Sequence, residues 1–371
     1  MRARSFLILM ISLAMGCGSS EEVFVGELTA SVVYGTDDRV EVYNHPDADL
    51  RRIADESIVA LIPSFRIGRE PTEDTYSLFT ESLEELRDLC PDELFGNQPT
   101  AASCSGVLIA DDLVLTAGHC IDAQTPCDTY AYVFNYQLDG PDLLAPIRDE
   151  DVYSCARVVS QGAPGRGEYT PDFAVIQLDR PVEGAHVAAL VRPATPLDPQ
   201  ESLAMIGFGS GLPAKIDAGG WVTDPRAERL DYFVANVDAF QGHSGSATFD
   251  SENRLAGILI GGRAPDYVTL AGETCSRVSV YEDVQAGEVV HNIAPIVGAL
   301  CADSWDGEDL CGPKACEGSP CGVLLPPSPD PGITSPPSSG CSVSVGSSGP
   351  VAGWLTLLLF AAARRFRRRA A

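Results

Sequence analysis

The sequence is poor in basic residues and in long apolar runs, and both shortages exclude classes of protein. Its 371 residues include 25 Lys plus Arg against 52 Asp plus Glu, a formal net charge of −27. Such a chain has no broad basic surface to neutralise phosphates, so we expect no nucleic-acid partner. Apolar runs are short while Gly and Pro number 35 and 27, a composition that favours an all-β fold with many turns.

The cysteines lack the paired C-x2-C spacing that is typical of zinc sites. There are 12 of them, which indicates an oxidising compartment and disulfides. Cys17 and Cys341 lie in terminal signals, so an even number remains for pairing. Residues 301–322 form a Cys-rich segment. We expect no metal site and no organic cofactor.

The N-terminus has the pattern of an export signal. Arg2 and Arg4 precede an apolar run, and small residues follow, so residues 1–17 are predicted to be a signal peptide. The run is too short for a membrane-spanning helix. The segment ending at Cys17 resembles a bacterial lipoprotein box, with ordinary signal-peptidase cleavage as the alternative. Residues 18–30 are a polar leader.

The C-terminus predicts surface attachment. Residues 323–340 are a Pro/Ser-rich linker without a core of its own. Residues 341–371 combine Cys341, a short apolar run and a terminal arginine cluster, and this pattern resembles the sorting signal of myxobacterial surface proteins. A simple tail anchor is the alternative, but it leaves less of a role for Cys341.

Three short motifs carry residues for nucleophilic catalysis. His119 lies in Thr-Ala-Gly-His-Cys, Asp172 opens the apolar run Asp-Phe-Ala-Val-Ile-Gln-Leu, and Ser244 lies in Gly-His-Ser-Gly-Ser. Alone, each also fits a plain turn. Together they supply a base, an orienting carboxylate and a nucleophile in the chain order His, Asp, Ser, which is the order of the chymotrypsin-type triad.

With the stretch from Ser31 to Val42, these motifs resemble bacterial glutamyl-endopeptidase-like (V8-type) members of the trypsin-like serine proteases. The resemblance covers residues 31–300. It implies an all-β, chymotrypsin-like fold, a double six-stranded antiparallel β-barrel followed by a C-terminal helix. Residues 55–62 are then the first buried strand, and 289–300 the helix. Residues 66–100 are a helical insertion, expected to be an amphipathic surface helix held by a Cys90 disulfide, with a substrate-contacting lid as the alternative.

The resemblance also assigns roles to the site residues. Ser244 is the nucleophile, His119 the base, Asp172 the residue that orients the base, and the N–H groups of Gly242 and Ser244 form the oxyanion hole. A disulfide joins Cys104 to Cys120 beside the base, and we expect a second between Cys127 and Cys155, which flank neighbouring strands.

The residues predicted to select the substrate give conflicting signals. Asp238 lies six residues before Ser244, where trypsin attracts a basic P1 side chain, the one that precedes the scissile bond. Gly261 and Gly262 are expected to line the same pocket, S1. The glutamyl branch uses a His where this chain has Leu259, so a preference for Glu is not indicated. For Arg263 two interpretations stay open: it attracts an acidic group, or it is simply solvated. Arg or Lys at P1 is slightly favoured.

One departure from the family lies beside the nucleophile. His243 occupies the place of the Asp that pairs with a new N-terminal amine when digestive enzymes are activated, so that switch is excluded here. Its side chain should point away from Ser244, the alternatives being a second base or a metal ligand.

The sequence therefore predicts an exported, envelope-attached or extracellular serine endopeptidase with protein or peptide substrates, attached to the membrane through a terminal lipid or the C-terminal anchor. A catalytically silent, surface-displayed binding domain on the same fold is the alternative. An esterase of the α/β-hydrolase type is disfavoured because its triad has the order Ser, Asp, His.

Overall fold

The computed structural model describes residues 32–162, 170–184, 186–303 and 308–311. All of them belong to one unit, Met1–Pro326. The signal peptide with Cys17, the leader, Cys316, Cys321, the linker and the Cys341 segment lie outside the described residues. Within the described ranges, no helix combines the length and apolarity that crossing a bilayer requires.

Six antiparallel strands close into an N-terminal barrel in the order β1-β2-β3-β6-β5-β4. They are β1 (Ile58–Pro63), β2 (Cys104–Ala110), β3 (Leu113–Thr116), β4 (Tyr130–Val133), β5 (Val152–Gln161) and β6 (Ala174–Leu178). The strands β1, β2, β3 and β6 are apolar runs buried along almost their whole length, whereas β5 exposes several of its residues. One face of a barrel strand fills the interior, so a strand buried on both faces is also covered by neighbouring elements.

A second barrel follows in the order β7-β10-β11-β12-β9-β8, and pairing of β8 with β7 closes it. Its strands are β7 (Ser202–Gly207), β8 (Lys215–Asp224), β9 (Tyr232–Ala235), β10 (Ala247–Phe249), β11 (Leu255–Gly261) and β12 (Glu288–Asn292). Met205, Phe233, Leu259 and Val290 belong to the apolar cluster in its interior. The predicted double six-stranded barrel is confirmed.

Among the described residues, four α-helices lie outside the barrels: α1 (Ala48–Ser57), α2 (Leu83–Arg87), α3 (Ile293–Ala302) and α4 (Glu308–Cys311). The predicted strand start at residue 55 was wrong, because α1 continues to Ser57; its first turn is capped by Asp47, whose carboxylate accepts from the N–H groups of Asp49 and Leu50. The start of the C-terminal helix was also placed too early. Residues 288–292 pair with both β9 and β11, so the helix begins only at Ile293.

The insertion at 66–100 is less helical than its spacing predicted. Ile67–Arg69 pairs with Tyr76–Leu78, and only α2 is helical. A capping box between Ser82 and Glu85 starts α2, and Asp88, with φ 52°, ends it in the left-handed region. A disulfide then joins Cys90 to Cys275, which ties the insertion to the loop between β11 and β12.

Short strand pairs and three further disulfides complete the described structure. Arg39–Glu41 adds to the edge of β8, and Val33–Tyr34 runs parallel to Val280–Tyr281. The remaining pairs are Leu138–Gly140 with Leu143–Leu144 and Tyr267–Val268 with Arg277–Val278. The disulfides join Cys104 to Cys120, Cys127 to Cys155 and Cys301 to Cys311.

Candidate active site

The two barrels bring the three predicted catalytic side chains into one hydrogen-bonded chain. His119 lies on a short helical turn after β3, Asp172 just before β6, and Ser244 between β9 and β10. The Nδ1 atom of His119 is 2.7 Å from Oδ2 of Asp172, and its Nε2 atom is 2.7 Å from Oγ of Ser244. The His119 backbone N–H also donates to Oδ1 of Asp172 at 2.8 Å, so the carboxylate fixes both the ring and its backbone.

The pKa shifts of His119 and Asp172 are those expected for a base that is held by a carboxylate. Burial disfavours the charged imidazolium of His119, but the hydrogen bond and negative charge of Asp172 outweigh burial and raise the pKa of His119 above its ordinary value. Burial would raise the pKa of Asp172, yet its bonds to His119 lower it, so the carboxylate stays ionised. The His119 side chain remains 45% exposed, so a substrate can reach it.

The nucleophile loop requires its two glycines. Gly242 has φ +103° and Gly245 φ +84°, values that side-chain-bearing residues rarely adopt. A Cβ atom on Gly245 would lie 2.1 Å from the carbonyl oxygen of Ser105, and one on Gly242 would lie 2.7 Å from that of Phe208. The loop can therefore turn this tightly only with glycine at both positions.

The predicted oxyanion hole has two free donors. Within the described residues, the backbone N–H groups of Gly242 and Ser244 donate to no protein acceptor. The Gly242 N–H shares a peptide with the carbonyl of Gln241, which accepts from the N–H of Ser210 at 2.6 Å. Because C=O and N–H point in opposite directions across a trans peptide, this bond turns the Gly242 N–H away from Ser210. The peptide is thus held in an orientation that leaves a donor for a substrate oxygen.

Ser105 is a supporting residue that sequence reasoning missed. It lies on β2 of the N-terminal barrel with none of its surface exposed. Its N–H donates to the carbonyl of Ser244 at 2.8 Å, and its Oγ donates to the carbonyl of Gly242 at 2.8 Å while accepting from the N–H of Phe208 at 3.0 Å. One serine therefore fixes the nucleophile loop against the other barrel. The sequence showed it only as a polar residue opening an apolar strand.

His243 points into the protein. Its side chain is buried, with 2% of the residue exposed, and the ring atom Nδ1 accepts from the backbone N–H of Phe240 at 3.0 Å. The backbone N–H of His243 donates to the carbonyl of Phe240. Burial, with the nearby charges of Arg39 and Lys215, lowers the pKa of His243 to about 3. A neutral ring with this bond holds the turn before the nucleophile, and these contacts disfavour a second base or a metal ligand.

The carboxylate of Asp238 is bound by the N-terminal segment of the domain. It is 2% exposed, and its two oxygens accept from the backbone N–H groups of Tyr34 at 2.8 Å and Asp38 at 2.9 Å. Burial and then the negative charge of Asp217 raise its pKa. Both oxygens are occupied by the N-terminal segment, which disfavours the predicted role of Asp238 in attracting a basic P1 side chain.

The other predicted pocket residues lie on or just after β11. The carbonyl of Leu259 accepts from the N–H of Gly245 at 2.8 Å, which joins this strand to the nucleophile loop. Gly262 faces the side chain of Glu288 on β12. Arg263 directs its Nε donor to the carbonyl of Gln285.

Across the described ranges, one grouping has metal-ligand atoms close together: Cys90, Glu273 and Cys275. Cys90 and Cys275 form a disulfide, so neither offers the thiolate that a metal requires.

Comparisons with known proteins agree with this geometry. Residues 104–258 match the family model of the trypsin-like peptidase domain, a range that contains His119, Asp172 and Ser244. Beta-fibrinogenase mucrofibrase-5 of Protobothrops mucrosquamatus is 26% identical over 161 residues, which make up 43% of this chain. The chain spans 58% of the length of that relative.

A chain from a solved structure of a Glu endopeptidase in complex with MPD is 18% identical. The match covers 63% of this chain and 89% of that chain, with a TM-score of 0.40. The family-model match and the two closed barrels together show that residues 104–258 belong to a trypsin-like peptidase domain and that the fold is chymotrypsin-like.

Proposed function

We propose that the chain is an exported serine endopeptidase that cleaves protein or peptide substrates through an acyl-enzyme. The observation that carries this proposal is the continuous chain of hydrogen bonds from Asp172 through His119 to Ser244, with 2.7 Å at each link between side chains. The N–H groups of Gly242 and Ser244, which donate to no described acceptor, support it.

Each residue then has one chemical task. Ser244 Oγ attacks the substrate carbonyl carbon as its proton passes to Nε2 of His119, and the negative charge on the carbonyl oxygen is met by the two N–H groups. Asp172 accepts from Nδ1 of His119 and stabilises the imidazolium. His119 next gives the proton to the leaving amine as the C–N bond breaks. A water molecule, deprotonated by His119, releases the acyl group from Ser244 in the same way.

Export and surface attachment belong to the same proposal. The four disulfides among the described residues fit an oxidising compartment, where such bonds persist. The N-terminal signal with Cys17 and the C-terminal segment with Cys341 would then direct the chain to the cell envelope. A Cys341→Ala variant should lose surface attachment and processing; unchanged attachment and processing would contradict the sorting role.

The test of activity uses the full chain, with Ser244→Ala as its matched control. We expect a fluorophosphonate probe to label the wild-type protein and not the variant, and a panel of fluorogenic peptides that differ at P1 to be cleaved by the wild-type protein alone. If the wild-type protein shows no labelling and cleaves none of the peptides, the endopeptidase proposal is refuted and the catalytically silent binding domain is favoured.

A further inference from the structure

The side chain of Arg87 joins the insertion at 66–100 to the residue that precedes the oxyanion loop. Arg87 is the last residue of α2, and its Nη2 atom donates to Oε1 of Gln241 at 2.8 Å. Gln241 supplies the carbonyl half of the peptide whose N–H belongs to Gly242, one of the two proposed oxyanion donors. The insertion therefore contacts the residue that sets the orientation of this donor.

The backbone of Gln241 is also held on both of its polar groups. Its N–H donates to Oδ2 of Asp266 at 2.9 Å, and its carbonyl accepts from the N–H of Ser210 at 2.6 Å. The hydroxyl groups of Ser210 and Tyr267 lie 2.6 Å apart, which connects these two partners. Three separate segments, namely α2, the loop between β7 and β8 and the loop between β11 and β12, thus converge on one residue.

The chain that follows Arg87 is fixed to the loop between β11 and β12. Cys90 forms a disulfide with Cys275, and the N–H of Cys90 donates to the carbonyl of Ser276 at 2.9 Å. The same loop carries Tyr267, and the guanidinium carbon of Arg87 lies 5.6 Å from the centroid of its ring. A covalent bond therefore connects the two segments that bind Gln241 from opposite ends of the sequence.

Apolar packing fixes the place of α2 against the remaining segment. Leu83 and Leu89, at the two ends of α2, form a buried cluster with Leu212. Leu212 follows directly on the turn that contains Ser210, and the carbonyl of Gly211 in that turn accepts from two N–H groups at the end of the insertion. The position from which Arg87 reaches Gln241 is thus determined by the core.

The bond between Arg87 and Gln241 lies at the surface, and an exposed hydrogen bond contributes little to the stability of a fold. Its effect on an oxyanion donor is larger in proportion. Such donors act because they are already aimed at the charge that develops in the transition state. Any added freedom of Gln241 would turn the N–H of Gly242 away from that charge.

We propose that Arg87 is a positioning residue, which holds Gln241, and through it the N–H of Gly242, in the orientation that binds the oxyanion. This inference rests on the proposed endopeptidase function. In this role Arg87 acts through Gln241 rather than on the substrate, and the disulfide between Cys90 and Cys275 keeps α2 in place.

The experiment compares the full chain with Arg87→Met, which keeps an apolar stem and removes the donors. Leu86→Ala is the matched control, because Leu86 precedes Arg87 on α2 and is 39% exposed. Active enzyme is counted by fluorophosphonate labelling, and rates are measured on a peptide amide that the wild-type protein cleaves. For Arg87→Met we expect kcat to fall about 3–10-fold, as for partial loss of one hydrogen bond to the transition state, while KM changes less than about twofold. Leu86→Ala should keep the wild-type kcat.

A pair of inhibitors separates positioning from a merely structural role. A peptide aldehyde adds to Ser244 and places its oxygen where the oxyanion lies, whereas the matching peptide alcohol does not. In Arg87→Met the inhibition constant of the aldehyde should rise by the same factor by which kcat falls, and that of the alcohol should change less than about twofold.

A second variant keeps the test decisive if Arg87→Met fails to label. Replacing both Cys90 and Cys275 by serine frees α2 from the loop between β11 and β12, and it should produce the same combined loss in kcat and in aldehyde affinity. A kcat equal to that of Leu86→Ala, a loss confined to KM, or an unchanged affinity for the aldehyde would overturn the positioning role and leave the endopeptidase intact. Absence of labelling in the wild-type protein would instead remove the proposed function itself.

Discussion

Replacing Ser105 by alanine tests whether the N-terminal barrel holds the oxyanion loop. The change removes the Oγ atom that bridges the carbonyl of Gly242 and the N–H of Phe208. Both groups are buried, so no water replaces the lost bonds. Each of the two buried groups left without a partner costs about 1–3 kcal/mol, and we therefore expect a loss of about 2–6 kcal/mol in the free energy of unfolding.

The same change should slow the chemistry. Without its bond to Ser105, the peptide that joins Gly242 to His243 is held less firmly, and this loosens the position of Gly242, whose N–H is then less well aligned with the oxyanion. Complete loss of one oxyanion donor lowers kcat on the order of 10²–10³-fold, so partial misalignment should lower it about 10–100-fold. We expect KM to change little, because the donor acts most strongly in the transition state.

The neighbouring Ser246 provides a matched control. It is as buried as Ser105, but its Oγ atom has no partner among the described residues. Ser246→Ala should therefore leave kcat unchanged and the free energy of unfolding within about 0.5 kcal/mol, or slightly raised. Stability is measured by urea unfolding in a Ser244→Ala background, which prevents self-digestion. Equal effects of the two alanine substitutions, or normal kcat in Ser105→Ala, would refute the reasoning.

Four further predictions concern the triad and the nucleophile loop. The acid limb of the pH profile of kcat/KM should have its midpoint above about 6.5, because Asp172 raises the pKa of His119, and the rate falls as that ring gains its proton. Asp172→Asn should lower kcat on the order of 10⁴-fold and move that midpoint to lower pH, whereas an unmoved midpoint would contradict the coupling. Gly245→Ala should abolish fluorophosphonate labelling, since its Cβ atom would lie 2.1 Å from the Ser105 carbonyl. The pKa of His243 is about 3 in the folded protein and about 6.5 in the unfolded protein. Below pH 6.5 the unfolded state gains a proton that the folded state does not bind, so the free energy of unfolding falls by about 1.4 kcal/mol per pH unit until the pH nears 3. His243→Asn should therefore make the melting temperature less sensitive to acid, and an unchanged pH dependence would exclude this role.

The sequence was sufficient for the architecture. Short apolar strands separated by turns predicted an all-β fold. The resemblance carried by the motifs in the order His, Asp, Ser implied two six-stranded barrels, and the observed strand order confirms them. Boundaries were less accurate where a pattern fits two structures. Val290 fits the spacing of a C-terminal helix, but its place between β9 and β11 makes it part of a strand. Local propensity cannot decide such a case, because pairing with distant strands determines the conformation.

The candidate specificity residues show what spacing leaves open. Asp238 stands at the expected distance from Ser244, yet its carboxylate binds the backbone of Tyr34, 204 residues away. No local signal indicated that the N-terminal segment would occupy those oxygens.

By itself, the sequence determined the class of fold and the glycines of the tight turn. It also identified the candidate nucleophile, base and orienting carboxylate. These features depend on periodicity and on residues that lie close together in the chain. Only the tertiary structure decided how the site is held and which groups bind the carboxylate of Asp238. The bond from Ser105 to Gly242 spans 137 residues, and that from Tyr34 to Glu288 spans 254. Contacts over such separations exist only once both barrels have closed and packed together.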